Sequence, residues 1–280
     1  MCDPSADLQG SADARPGPSA AAVAVAPPAE GRVRIRFVLA YDGGRYRGMA
    51  ENQGVVTVAG SIREVIERAV GHAVDLSLSG RTDAGVHAWG QVVSFDAAAD
   101  RADPERLAKA VNRRCAPGIV VREAAYASDD FDARFSARSR HYRYTVLNRS
   151  LPDPFLAATT WWVPEELDLD AMGLASEAVV GLHDYTTFCR RPTGQPGEPN
   201  MMRRVLHARW HDLGDGFLRF DIDAKAFCHQ MVRSITGTLV DMGRGRRPAG
   251  EMAAILEARD RQAASSVAPA QGLCLWEVVY

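Results

Sequence analysis

The sequence predicts an α+β protein with antiparallel sheets. Two observations carry this: period-2 apolar runs are followed by stripes at helical spacing, and this order occurs twice along the chain. A third excludes the main alternative, because no Gly-rich loop opens a helix in P-loop or Rossmann fashion. With 280 residues and 46% hydrophobic content the chain can bury a full core. Residues 1–30 read as a disordered Ala/Pro-rich tail, without aromatics and with too little apolar surface to offset its ordering entropy. Residues 31–148 read as a first half carrying a polar loop, and 149–280 as a second half.

In order, Val33, Ile35, Phe37, Leu39 and Tyr41 alternate with polar positions and predict a strand that ends at Asp42-Gly43-Gly44. Arg45, Tyr46 and Arg47 follow in a loop. Ser61 and Glu64 have capping-box spacing, so the first helix is placed from Ser61, with Ile62, Val65, Ile66, Ala69 and Val70 inward and Gly71 as its stop. Two short strands, Asp75–Ser79 and the Val93/Phe95 run, then flank a loop. Asp103-Pro104 opens a second helix, and Ile119 to Arg122 reads as a strand. Tyr142, Tyr144 and Val146 share one face of the next strand, with Tyr144 read as core. Asp168 caps a helix whose Ala171, Leu174, Ala175 and Ala178 face inward. Gly194 to Pro199 is a Gly/Pro-rich loop flanked by Arg190, Arg191, Arg203 and Arg204. A hairpin follows, with Leu206, Ala208 and Trp210 on one strand and Leu218, Phe220, Ile222 and Ala224 on the other, turning at Gly214-Asp215-Gly216. A helix is predicted from Phe227 to Met242 and a closing strand from Leu273 to Tyr280.

Composition excludes several function classes. The net charge is −2, so any basic surface is local, and apart from Lys109 and Lys225 the cations are arginines, the better bidentate phosphate ligands. The five cysteines are odd in number and lack zinc or disulfide spacing, which predicts free thiols in a reducing, cytoplasmic setting. His207 and His211 lack a third ligand, so no metal is expected, and no apolar run is long enough for a membrane.

The chemistry gathers in Gly80-Arg81-Thr82-Asp83-Ala84-Gly85-Val86-His87-Ala88, which places one carboxylate between Arg81 and His87 in a loop punctuated by glycine. Two readings of Asp83 are open from the residues alone: a reactive carboxylate, or an aspartate that only bonds its own turn. Phe131 to Tyr144 interleaves arginines with aromatics, a pattern that suits RNA, since arginine neutralises phosphate and rings stack on unpaired bases. Arg233 projects from the face of its helix opposite Met231, Ile235 and Leu239. Gly237 in that helix signals a close approach, at a cost of about 1 kcal/mol relative to alanine. Gly243-Arg244-Gly245-Arg246-Arg247 is either a helix stop with favourable cations or a phosphate patch.

GRTDAGVHA with GQVVSF, F-x-A-R-F-S-A with R-x-Y-x-Y, H-D-Y-x-x-F and F-C-H-Q-M-V-R-S-I-T-G resemble the signatures of the tRNA pseudouridine synthase A family, and the match runs from about Val33 to Tyr280. The resemblance implies a pseudouridine synthase fold, two halves each with an antiparallel sheet flanked by helices, and an active-site cleft between them. It implies a homodimer that isomerises uridine in the tRNA anticodon stem-loop with neither cofactor nor metal. It assigns catalysis to Asp83, with Arg233 as its ion-pair partner and Tyr142 packed on the target base. Arg81 and His87, with Arg138, Arg140, Arg203 and Arg204, become the substrate-binding set. The sequence departs from the family pattern at Met49, Val56 and Ala59, where an aromatic residue, an Arg and a Gln are usual. That erosion keeps open a specialised paralogue acting on another RNA or on a free uridine nucleotide. A non-catalytic RNA-binding module is the further alternative.

Overall fold

Alternation along β1 (Arg32–Tyr41) sets the register of the first half. This strand lies antiparallel between β3 (His87–Ala98) and β4 (Ile119–Ala127), and the short β2 (Ser77–Leu78) pairs with the far edge of β3. The computed structural model describes residues 31–191 and 199–280. The predicted tail and nearly all of the Gly194–Pro199 loop lie outside them. The second half contributes β6 (Trp161–Val163), β7 (Gly181–Asp184), β8 (Met202–Asp212) and β9 (Phe217–Ala224), with β5 (Ser139–Asn148) and β10 (Leu273–Val279) between the halves.

The two expected sheets are joined into one. Strand order is β4-β1-β3-β10-β5-β9-β8-β7, ten strands among the described residues with β2 and β6 paired off the path. The last strand of the chain makes the joint: β10 pairs antiparallel with β5 and parallel with β3, through Cys274–His87 and Leu275–Ala88. Filling this seam satisfies edges that each half would otherwise expose.

Among the described residues, five α-helices accompany the sheet: α1 (Val58–Val70), α2 (Pro104–Cys115), α3 (Leu169–Glu177), α4 (Met231–Gly243) and α5 (Met252–Glu257). Gly71, Asp103 and Asp168 cap as predicted: Gly71 is left-handed, and the two aspartates accept backbone N–H groups. Ser61 does not open α1. Thr57 caps it instead, accepting the Gly60 N–H at 3.2 Å, and Ser61 lies a turn inside, its hydroxyl bonded back to the Thr57 carbonyl. The inward prediction for Leu174 fails, since it is exposed and Met172 takes its place, and the alternation read through Leu206 is offset, with Leu206 exposed and Val205 buried. At Leu206 the cause is a register shift between Val205 and His207, which turns the strand's alternation.

The helix predicted from Phe227 begins only at Met231, because Gln230 takes a left-handed conformation (φ 65°) that breaks the run. α4 is also buried on almost every side rather than along one stripe. Gly237 is explained by the chain itself: a Cβ there would lie 1.9 Å from the Ser266 carbonyl oxygen. Cys189 and Cys228 form a disulfide with a Cα–Cα separation of 5.7 Å, correcting the expectation of free thiols only. Thirty-nine residues apart, they carry no spacing signature.

Period 2 divides the functions of the central strands. Tyr142, Tyr144 and Val146 of β5 face Ile222, Phe220 and Leu218 of β9 in the buried layer. His141 and Arg143 point to the opposite face with Arg219 and Asp221.

Candidate active site

The loop carrying Asp83 is pinned on both sides of the carboxylate. Ahead of it, Gln91 Nε2 donates to the Gly80 carbonyl at 2.9 Å, and the Thr82 and Tyr41 hydroxyls bond at 2.7 Å in the core. The Thr82 carbonyl accepts the Met49 N–H at 3.1 Å, beside Gly48, whose positive φ (+101°) brings its backbone against the loop. After it, the Val86 N–H closes a turn on the Asp83 carbonyl at 3.1 Å. The backbone thus satisfies its own turn, and the Asp83 side chain is directed elsewhere.

It meets α4 and the residues just before it. Arg233 Nη1 donates to Asp83 Oδ2 at 3.0 Å, and His229 Nε2 lies 3.3 Å from Oδ1. The guanidinium is fixed from behind, its Nε donating to the Ala268 carbonyl at 2.8 Å, while the Ala268 N–H returns to the Arg233 carbonyl at 3.0 Å. Asp83 and Arg233 are mostly buried, so their attraction is screened less than that of a surface pair. Tyr142 is buried edge-on to Phe227, ring centroids 5.2 Å apart. Burial, with the nearby Tyr41 and Asp83, pushes its phenol well above the ordinary range.

The other residues singled out by sequence divide into exposed and engaged. Arg81 and Arg138 are exposed. His87 spans two backbone groups: Nδ1 accepts the Gly43 N–H at 3.1 Å, and Nε2 contacts the Ala158 carbonyl at 3.0 Å. Arg140 donates to the carbonyls of Ser79, Lys225 and Arg134 at 2.6–3.1 Å, clamping the approach to the Asp83 loop onto the end of β9. Arg203 donates to the Asn200 and Met202 carbonyls. Adjacent on β8, Arg203 shares the Val205 face and exposed Arg204 leaves the other, so the two project to opposite sides. The Arg244–Arg247 cluster is paired internally: Arg244 and Arg246 meet Glu165 and Asp241, and Arg247 meets Glu251 and the Ala263 carbonyl.

The tRNA pseudouridine synthase family model matches residues 38–136 and 175–280, the stretches that supply Asp83 and Arg233. The chain belongs to that family. Its relatives include proteins named tRNA pseudouridine synthase A from Hyphomonas neptunium, 40% identical over 88% of this chain and 98% of theirs, and from a Geobacillus species, 37% identical over the same shares. One from a Thermotoga species is 35% identical over 88% of this chain and 99% of its own. Membership makes the chain an isomerase that converts uridine to pseudouridine in tRNA.

Among the described residues, no group of three or more His, Cys, Asp or Glu side chains is placed to hold a metal ion. No described helix is long and apolar enough to cross a membrane. Sequence reasoning missed His229 as a neighbour of the carboxylate. It falls within the F-C-H-Q-M-V-R signature and the helix predicted from Phe227, but lies instead in the loop leading into α4.

In this synthase the segment that departs from the family pattern is folded against the site. Met49 is fully buried, and its N–H and carbonyl tie Thr82 to Ala59. Val56 is 64% exposed, so the family's usual arginine is missing from a solvent-facing position. Losing it leaves the Asp83 loop supported.

Proposed function

We propose that Asp83 is the nucleophile or ion-pair partner that breaks the N1–C1′ bond of a uridine, after which the detached uracil turns and rejoins the sugar through C5. The observation that carries this is the 3.0 Å contact between Asp83 and an Arg233 that is 150 residues away in sequence. The guanidinium of Arg233 takes Oδ2, which leaves Oδ1 as the oxygen to meet the sugar. Tyr142 serves as an apolar wall for the base. With its phenol driven up by burial it stays protonated at neutral pH, which disfavours a role as the base that takes a C2′ proton.

A target uridine within a stem has to leave its stack, at a cost of a few kcal/mol. Arg81, exposed two residues before Asp83, is placed to fill the vacated space. Arg138 and the exposed Arg134–Phe135 pair, guanidinium 5.2 Å from the ring centroid, supply phosphate and stacking contacts at the same rim. His87 and Arg140 act as braces, since their polar atoms are spent on backbone groups. Arg203 and Arg204 hold RNA at most singly, because they point apart.

The reading assigns the tRNA anticodon stem-loop as substrate, a homodimer as the working form and the cytoplasm as its place. A specialised substrate is the second reading, favoured by the departures at Met49, Val56 and Ala59. The test is to incubate the protein separately with unmodified tRNA, an isolated anticodon stem-loop and uridine 5′-monophosphate, then map pseudouridine. Product in both RNAs is expected. Product from the mononucleotide alone would establish the second reading. Tight RNA binding with no product, unchanged in Asp83→Ala, would establish a binding module.

A further inference from the structure

Isomerisation also moves a proton. When N1–C1′ breaks, its electron pair stays on N1. When C5 bonds to C1′, the carboxylate or its equivalent leaves the sugar, and C5 briefly carries both the new bond and its hydrogen. C5 must then lose that hydrogen as a proton, and N1 ends with one. The balance is one proton from C5 to N1, with no oxidant, reductant or further reactant. A side chain that carries it must accept and donate near neutrality.

Few groups at Asp83 meet that condition. A guanidinium such as that of Arg233 offers donors only and cannot accept a proton. Tyr142 is held protonated by burial, and Asp83, released when C5 bonds to C1′, returns to the guanidinium of Arg233 that holds its Oδ2. His87 has both ring nitrogens on backbone groups. His229 is free of these limits: its Nε2 is 3.3 Å from Asp83 Oδ1, and its side chain is 45% exposed. Imidazole is the side chain whose ordinary titration lies nearest neutral pH.

The backbone around His229 is built to present it. Its carbonyl accepts the Arg190 N–H at 2.9 Å, and its neighbour Cys228 is bonded to Cys189. Left-handed Gln230 then turns the chain into α4, so one short segment supplies the imidazole for Oδ1 and the guanidinium for Oδ2. A sugar that reaches Oδ1 must displace the imidazole, which leaves its ring nitrogen beside the base. We propose that His229 carries the proton from C5 to N1 of the detached uracil. This rests on the isomerisation assigned above.

His229→Gln keeps an N–H donor near Oδ1 and cannot carry a proton. Pseudouridine formation is followed on unmodified tRNA and on the same tRNA made with C5-deuterated uridine. The proposal expects kcat to fall by about 10²- to 10⁴-fold, with KM little changed and a primary isotope effect at C5 larger than the wild type's. His229→Ala should regain part of its rate when imidazole is added to the buffer. Wild-type kcat in His229→Gln would overturn the proposal. So would a loss without any enlarged C5 isotope effect or imidazole rescue, which would make His229 a positioning residue for Asp83. A wild-type protein that forms no pseudouridine would instead sink the parent reading, a result visible before any variant is made.

Discussion

Two aspartates in this molecule face both arginine and histidine side chains, in opposite settings. Asp83 stands on a loop facing Arg233 and His229, its side chain 21% exposed. Asp221 stands inside β9 on the other face of the sheet, 10% exposed, with Arg219 and His211 at Oδ2 (3.0 and 3.2 Å) and Arg143 and His141 at Oδ1 (3.4 and 3.5 Å). Burial acts to raise the Asp221 carboxyl, yet His141, Arg219 and Arg143 outweigh it and hold the group below its usual range. Two arginines and two histidines close round that carboxylate and shield it from solvent, whereas among the described residues the near partner of Asp83 Oδ1 is a half-exposed imidazole. An arginine beside an aspartate therefore does not by itself single out a reactive carboxylate; the proposal for Asp83 rests on its loop position and its accessible oxygen.

The sharpest way to break this contrast is to neutralise each carboxylate in turn. Asp83→Asn should cost at least about a thousandfold in kcat, as loss of a nucleophile does, with little change in thermal midpoint. Asp221→Asn should do the reverse. Removing one member of a buried ion cluster costs about 3–5 kcal/mol of stability, read by denaturant unfolding, while the protein that remains folded keeps most of its kcat.

Arg233→Ala should reduce kcat by about 10²- to 10³-fold, comparable with loss of an electrostatic stabiliser. Methylguanidine in the assay should restore part of that loss if the role is charge. A smaller effect separates the two faces by pH. The folded pKa values of both Asp221 and His211 are depressed, the latter mainly by burial. Each group binds its proton more readily unfolded, so each contributes stability above its unfolded pKa and loses it as pH falls. The thermal midpoint should decline below about pH 6.5 through His211 and more steeply below about pH 4 through Asp221. Asp221→Asn should flatten the lower limb, and Asp83→Asn should leave it in place.

The smallest expected effect is at the rim. Phe135 is 80% exposed and held outward by Asp132, whose carboxylate accepts the Arg134 and Phe135 N–H groups at 2.8 Å. Phe135→Ala should weaken tRNA binding by about 1–3 kcal/mol if a base stacks there, seen in KM rather than kcat.

The difference between the two aspartates also shows what the sequence could carry. Asp83 was legible because its glycine-bounded loop is local, and Arg233 because a family signature surrounds it. The helix stop at Gly71 and the helix starts at Asp103 and Asp168 were legible for the same local reason. The Asp221 cluster was not, since it depends on register between β5, β8 and β9. His229 was hidden by left-handed Gln230, which delays the start of the apparent helix, and the Cys189–Cys228 bond by a 39-residue separation without a spacing signature. Arg140 looked like a phosphate ligand from its pattern, and only tertiary structure shows its donors spent on carbonyls. Joining of the halves through β10 depends on a strand that arrives 125 residues after β5 has ended.

The central claim is tested most directly by treating one unmodified tRNA with wild-type protein, Asp83→Asn and Asp221→Asn, each at equal folded concentration, and mapping pseudouridine over time. The account predicts product at similar rates from the wild type and Asp221→Asn, and none above background from Asp83→Asn. Wild-type rates from Asp83→Asn would contradict it.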